Sequence, residues 1–290
     1  MASRTRESLS LQGIVAVKIS GVIEVEELNA RHGTEFELVG AYEGGEVGAM
    51  RLVDREGRRF VLKQQPAGLA GRTTQALRSL GYPAPLYVVE GSAYQVQEEL
   101  PGRPAGGWGV AEQRVMARLL ELNELQAGTA VDGDTSWPAT IVESVTAGFS
   151  EFCVVGTLER HSDASRDLLR LCRDVVDRQA VNLTSNRDVV HMDFTLANVL
   201  VEDGVVTGVI DWGGTRTGDR LFDLATLVYY ARGEAPELEE YVVERIGRSG
   251  LSVYLAHMAV RQSDWSLRHH GTDAGDSAVE YSLELMRSFA

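Results

Sequence analysis

Three polar side chains, Asp193, Asn198 and Asp211, sit in a mainly apolar stretch, HMDFTLANVLVEDGVVTGVIDWGG, that runs from His191 to Gly214. Asp193 and Asn198 lie five residues apart on one loop, and Asp211 ends the apolar run 205–210. The pattern predicts strand, loop and strand, so a hairpin would bring all three together. A carboxylate, a carboxamide and a second carboxylate in one place suit phosphoryl transfer. One carboxylate orients a substrate hydroxyl and takes its proton, while the amide and the other carboxylate hold Mg²⁺ on nucleotide phosphates.

Upstream elements would have to position the nucleotide. Residues 36–40 read as a strand, AYEGGEVG as a glycine-bearing turn, and residues 49–53 and 59–63 as two further strands. Gly44, Gly45 and Gly48 would let backbone N–H groups approach phosphates without a Cβ in the way. No GxxxxGK[ST] string is present, which disfavours a P-loop NTPase. Lys63 ends the apolar strand RRFVLK and is one of only two lysines, with Lys18, in a chain that otherwise uses arginine. A lysine in that position offers a compact ammonium where arginine would offer a fork. Beyond the turn-rich GYPAP at 81–85, two more strands are expected at 86–89 and 94–98, followed by QEELPG. From residue 111 the pattern turns helical: Val115, Leu119 and Leu122 repeat at helical spacing, as do Leu168, Leu169, Cys172, Val175 and Val176. Further helices are expected within 219–231, 235–246, 251–270 and 277–290.

The motif from His191 to Trp212 resembles the catalytic loop and metal-binding aspartate of the aminoglycoside phosphotransferase and choline kinase-like family, and the resemblance covers most of the chain. It implies an α+β, protein-kinase-like bilobal fold, with a small N-terminal β-sheet lobe at 1–100 and a larger, mainly helical catalytic and substrate-binding lobe at 101–290. By that resemblance Asp193 matches the catalytic base, His191 the histidine that buttresses its loop, and Asn198 and Asp211 the magnesium ligands. Lys63 matches the lysine on the nucleotide's α and β phosphates, Gly44 and Gly45 the phosphate-covering turn, and Glu98, Glu99 and Leu100 the linker at the base edge. GDRLFDLA, from Gly218 to Ala225, resembles the family's GDxxxDLA segment, with Asp219 and Asp223 capping a helix or holding loop backbone. The chain departs from the pattern at one place. Relatives pair the lysine with a glutamate on the next helix, yet residues 64–89 contain no Asp or Glu, so the partner is missing or comes from elsewhere. Gln75 could offer an amide oxygen, which lacks the charge that fixes an ammonium strongly.

Composition fits a globular chain of this kind: 290 residues, 44% hydrophobic, bury a sizeable core. The lobe boundary falls in PGRPAGGWG, 101–109, where two prolines and four glycines break the periodicity. Residues 1–100 carry 11 Lys+Arg against 13 Asp+Glu, net −2, and residues 101–290 carry 17 against 29, net −12. That balance argues against nucleic acid and anionic membranes. It is compatible with a cationic small-molecule acceptor and equally with an ordinary acidic surface. Two unpaired-looking cysteines, no signal peptide and no long apolar stretch point to the cytoplasm. The reading is an ATP- or GTP-dependent O-phosphotransferase with Mg²⁺ as cofactor, acting on a hydroxyl of a small molecule, foremost an antibiotic such as an aminoglycoside. The alternatives are a metabolic kinase for an amino alcohol, sugar or amino acid, and a nucleotide-binding pseudokinase. Tyr229, Tyr230, Tyr254 and Trp265 would serve a cation pocket or the core.

Overall fold

The structure, a computed structural model, describes residues 23–42, 49–106, 112–148, 153–184 and 186–289. The glycine turn with Gly44, Gly45 and Gly48 lies outside the described residues. Helix α1 (Val25–His32) leads into an antiparallel sheet of β1 (Glu37–Ala41), β2 (Met50–Val53), β3 (Arg59–Lys63), β4 (Tyr87–Glu90) and β5 (Gln95–Glu98), ordered β1-β2-β3-β5-β4, with α2 (Ala70–Arg78) inserted between β3 and β4. Alternation decides the faces. Leu52, Phe60, Leu62, Val89 and Val96 point to one side and form a core with Val25 and Leu28 of α1. Lys63, Gln95 and Glu90 lie opposite one another in register, β3 to β5 to β4, and share the other face.

The main core lies mostly within residues 101–289 and also takes in Ala70 and Leu77 of α2 with Tyr82 and Ala84. Strand β6 (Arg103–Pro104) joins β8 (Val199–Glu202) and β9 (Val205–Val209) in a second sheet, while β7 (Asp188–Val190) pairs with β10 (Arg216–Gly218). Around them lie α3 (Glu112–Leu125), α4 (Trp137–Thr146), α5 (Val155–His161), α6 (Asp163–Gln179), α7 (Leu221–Ala231), α8 (Pro236–His269) and α9 (Thr272–Phe289). The apolar stripes expected on α3 and α6 are buried. Within α8 the two expected helices, 235–246 and 251–270, are both present and meet at a kink at Gly247, whose φ of 72° and ψ of 162° are non-helical and suit glycine. Tyr229 and Tyr254 belong to the core: Tyr229 meets Ser282, and Tyr254 lies between Trp137 and Asp219. Cys153 and Cys172 are buried and not joined in a disulfide. Among the described residues no helix is long and apolar enough to cross a membrane.

Candidate active site

The β8–β9 hairpin is built by Asp203 and Gly204, both at positive φ (50° and 76°), the combination a tight two-residue turn with the twist of the strands requires. The hairpin closes on the amide of Ile210, which donates to the carbonyl of Asn198 at 2.9 Å, so the expected juxtaposition of Asn198 with the Asp211 end of β9 is present. Asn198 Nδ2 donates to both the backbone carbonyl and Oδ2 of Asp193, at 2.8 and 2.9 Å. Two acceptors on one side fix the amide nitrogen there and turn Oδ1 of Asn198 the other way.

His191 is fully buried against Trp212, with ring centroids 4.5 Å apart. Its Nε2 lies 2.8 Å from the carbonyl of Ile210, which can only accept, so Nε2 carries the proton and Nδ1 accepts from the amide of Asp193 at 3.3 Å. Burial holds its pKa down, against the raising influence of Asp193, in keeping with a neutral ring. His191 therefore ties the Asp193 loop to the strand that ends in Asp211, acting on both carboxylates through the backbone. Asp223, in the first turn of α7, completes the support. It is fully buried and accepts from the amides of His191 and Met192 and from Gln126 Nε2 at 2.7 to 3.0 Å. Burial pushes its carboxyl up to about 7, with those three donors opposing. Asp219 accepts from the amide of Leu221 and from Tyr254, so both aspartates hold backbone, as the sequence suggested. Two residues of the site are themselves bent into left-handed backbone, Met192 at φ 75° and Asp211 at φ 67°. Such positions persist only where their surroundings over-determine them.

Lys63 reaches across from the first sheet. Its Nζ lies 2.8 Å from Asp211 Oδ1, with side-chain exposures of 14% and 44%. Burial alone would raise the Asp211 carboxyl, and the ammonium beside it overrides this, leaving it below the usual carboxylate range. In this structure the acidic contact of Lys63 is therefore Asp211 and no residue of α2. Gln75 is exposed on α2, and Lys63 donates to Asp211.

The linker residues are placed in three ways. Glu98 turns its carboxylate to Arg78 and the amide of Leu86, on the rim of an outer cavity of about 680 Å³ that holds neither Lys63 nor the three hairpin residues. Glu99 accepts from Arg51 and Tyr42, which ties the linker to the strands flanking the glycine turn. Leu100 packs on the bare backbone of β9, where a Cβ at Gly208 would lie 2.7 Å from Leu100 Cδ1. A base held here would be read by backbone rather than by these carboxylates.

One contact had no sequence signal. Arg261 of α8 donates through Nη1 to the carbonyl of Met192 at 2.5 Å and through Nη2 to Asp193 Oδ1 at 3.0 Å. Both carboxylate oxygens of Asp193 are therefore engaged, one by a guanidinium and one by an amide. Substituting Arg261→Met keeps the stem and removes the fork. The expected result is a fall in kcat on the order of tenfold with the nucleotide KM within a few-fold, measured by steady-state kinetics, because Asp193 loses its charged orienter and nothing at the nucleotide changes. An unchanged kcat would mean that Arg261 is only packed there.

A family profile described as the phosphotransferase enzyme family matches residues 39–257. No curated protein matches the sequence. Among solved structures, a thermostable mutant of aminoglycoside phosphotransferase APH(4)-Ia, in ternary complex with ADP and hygromycin B, superposes with a TM-score of 0.73 at 19% identity, covering 91% of this chain and 97% of its own. A second mutant of that protein, with AMP-PNP and hygromycin B, gives 0.73 at 21%, covering 91% and 98%. Macrolide 2′-phosphotransferase MphH from Brachybacterium faecium gives 0.55 at 16%, covering 89% and 96%. At these identities the likeness is one of fold.

Proposed function

Since the chain belongs to the phosphotransferase enzyme family, we propose that it transfers the γ-phosphate of ATP to a hydroxyl of a small molecule, with an antibiotic of the aminoglycoside or macrolide kind as the acceptor class. The observation that carries this reading is the tie of Asp193 to Asn198 at the open end of the β8–β9 hairpin that ends in Asp211, with Lys63 brought to Asp211 from the opposite sheet. Asp193 orients the acceptor hydroxyl and takes its proton, held by Arg261 and Asn198. Lys63 steadies the phosphates and screens their charge from Asp211. His191 and Asp223 fix the loop and touch neither substrate.

The donor set suits Mg²⁺. Asn198 Oδ1 is turned away from Asp193, and Asp211 keeps Oδ2 beside the oxygen bound by Lys63. Two hard oxygen ligands, with phosphates and water completing the shell, are what this ion takes in nucleotide sites. Bound there, Mg²⁺ would neutralise charge on the donor phosphates. We assign residues 1–100 to a nucleotide-binding lobe and 101–290 to the catalytic and acceptor-binding lobe, in a protein of the cytoplasm. The acceptor assignment draws on the solved neighbours with hygromycin B and on the macrolide enzyme, and on the net −12 of residues 101–290, which favours cationic molecules.

The test is transfer of radiolabelled γ-phosphate from ATP to a panel of hygromycin B, other aminoglycosides, macrolides, nucleoside antibiotics and amino alcohols. Magnesium-dependent product with one antibiotic class is expected. Product with amino alcohols alone would make the chain a metabolic kinase, and MgATP binding with no product across the panel would favour a regulatory, non-transferring role.

A further inference from the structure

Lys63 has a divided allegiance. Its partner, Asp211, is also the carboxylate proposed for the metal, and a dication on Asp211 weakens that oxygen's hold on a neighbouring ammonium. A lysine that must stay aimed at phosphates then needs other acceptors. The face of the first sheet provides them. Lys63 on β3 stands directly opposite Gln95 on β5, and Gln95 directly opposite Glu90 on β4. Side chains in such pairs share a face with Cβ atoms about 5 Å apart. Gln95 is 1% exposed, and its Oε1 is buried without a hydrogen-bond partner. A buried amide oxygen left without a donor is costly and calls for an explanation.

The second observation comes from α2. Gly71 is buried in the first turn of that helix, and a Cβ built on it would lie 1.9 Å from Glu90 Oε1 and 2.6 Å from Glu90 Cδ. The Glu90 carboxylate thus occupies the space that a side chain at position 71 would need. A glycine inside a helix is unfavourable relative to alanine, so the vacancy has a packing reason. Tyr87, on the same strand as Glu90, reports the same neighbourhood: burial first, then Asp211 and Glu90, push its phenol above the ordinary range.

We propose that Glu90 and Gln95 are the positioning partners of Lys63 in the magnesium-nucleotide state, with Gln95 Oε1 accepting from the ammonium and the Glu90 carboxylate supplying the charge that no residue of α2 carries. The acid has come from strand β4, and Gly71 makes room for it. The proposal rests on the reading of Lys63 as a phosphate-binding residue.

The test is calorimetric titration of the full chain with ATP, in Mg²⁺ and again in EDTA, on wild type, Glu90→Gln, Gly71→Ala, Lys63→Ala and the Lys63→Ala/Glu90→Gln double variant. Loss of one charge-assisted contact predicts MgATP binding weakened on the order of tenfold by Glu90→Gln. In EDTA the same variant should match wild type, because Asp211 is then free to hold Lys63. Gly71→Ala should give a similar magnesium-dependent loss by displacing the carboxylate, although alanine is the better helix former. The double variant should bind no more weakly than Lys63→Ala alone. Unchanged MgATP affinity in Glu90→Gln or in Gly71→Ala, an equal loss with and without Mg²⁺, or additive losses in the double variant would each overturn the proposal. Wild type that fails to bind MgATP at all would sink the reading of Lys63 itself, and is thereby distinguished from a failure of Glu90 alone.

Discussion

Asp193→Asn is expected to reduce phosphate transfer by on the order of 10²-fold or more, with MgATP affinity kept within a few-fold. The asymmetry follows from the two ends of the carboxylate. Oδ1 accepts from Arg261 Nη2 at 3.0 Å and Oδ2 from Asn198 Nδ2 at 2.9 Å. An amide has one acceptor oxygen, and the guanidinium claims it, because a charged donor makes the stronger bond. The new NH₂ then faces the NH₂ of Asn198, two donors in contact. The variant thus loses the proton acceptor and presses on Asn198, while Lys63 and Asp211 stay as they were. Single-turnover transfer on a confirmed acceptor, with nucleotide titration alongside, separates the two effects. A kcat near that of wild type would remove Asp193 from the role of base.

The residues that were legible in the sequence are those whose neighbours lie close along the chain. The hairpin bearing Asn198 and Asp211 is signalled by its own Asp203-Gly204 turn and by two short apolar runs, and β3 lies where the run RRFVLK ends. The buried stripes of α3 and α6 follow from local periodicity. What could not be read is set by sheet order and by distant packing. Strand order β3-β5-β4 brings Lys63, Gln95 and Glu90 into one row, although 32 residues separate the first two in sequence. Residues 64–89 hold no acid because the acidic groups near Lys63 come sideways through the sheet and across from β9. The one local hint was Gly71, a buried glycine in the first turn of α2. Arg261 is 68 residues from Asp193 and is one arginine among 26, so nothing in its surroundings marks it. Helix α1 buries only Val25 and Leu28, too narrow a stripe to stand out before the sheet it covers is known.

The second large effect is expected at Asp211, where two substitutions separate charge from backbone. Asp211 sits at φ 67° and ψ 55°, a left-handed conformation that asparagine adopts about as readily as aspartate and alanine adopts at a cost of roughly 1–2 kcal/mol. Asp211→Asn should therefore keep the fold of the β9 end, whereas Asp211→Ala should also lower thermal stability. Both should lose MgATP binding and turnover together, on the order of 10²-fold, because the remaining ligand, Asn198, is neutral. Metal-free ATP should behave in the opposite sense. In the wild-type chain Lys63 is held by Asp211 at 2.8 Å, and the same carboxylate repels incoming phosphates. Removing it releases the ammonium and the repulsion at once, so affinity for ATP in EDTA should be equal to or greater than that of wild type. Asp211 is held below the usual carboxylate range, so its pairing with Lys63 is present above the unfolded carboxylate pKa and fails only as pH falls below it. Titrations near pH 7 thus compare one protonation state throughout. Calorimetry of both variants with and without Mg²⁺ decides the matter: unchanged magnesium dependence would take Asp211 out of the metal site, and parallel losses in Mg²⁺ and in EDTA would show a damaged nucleotide pocket instead of a missing ligand.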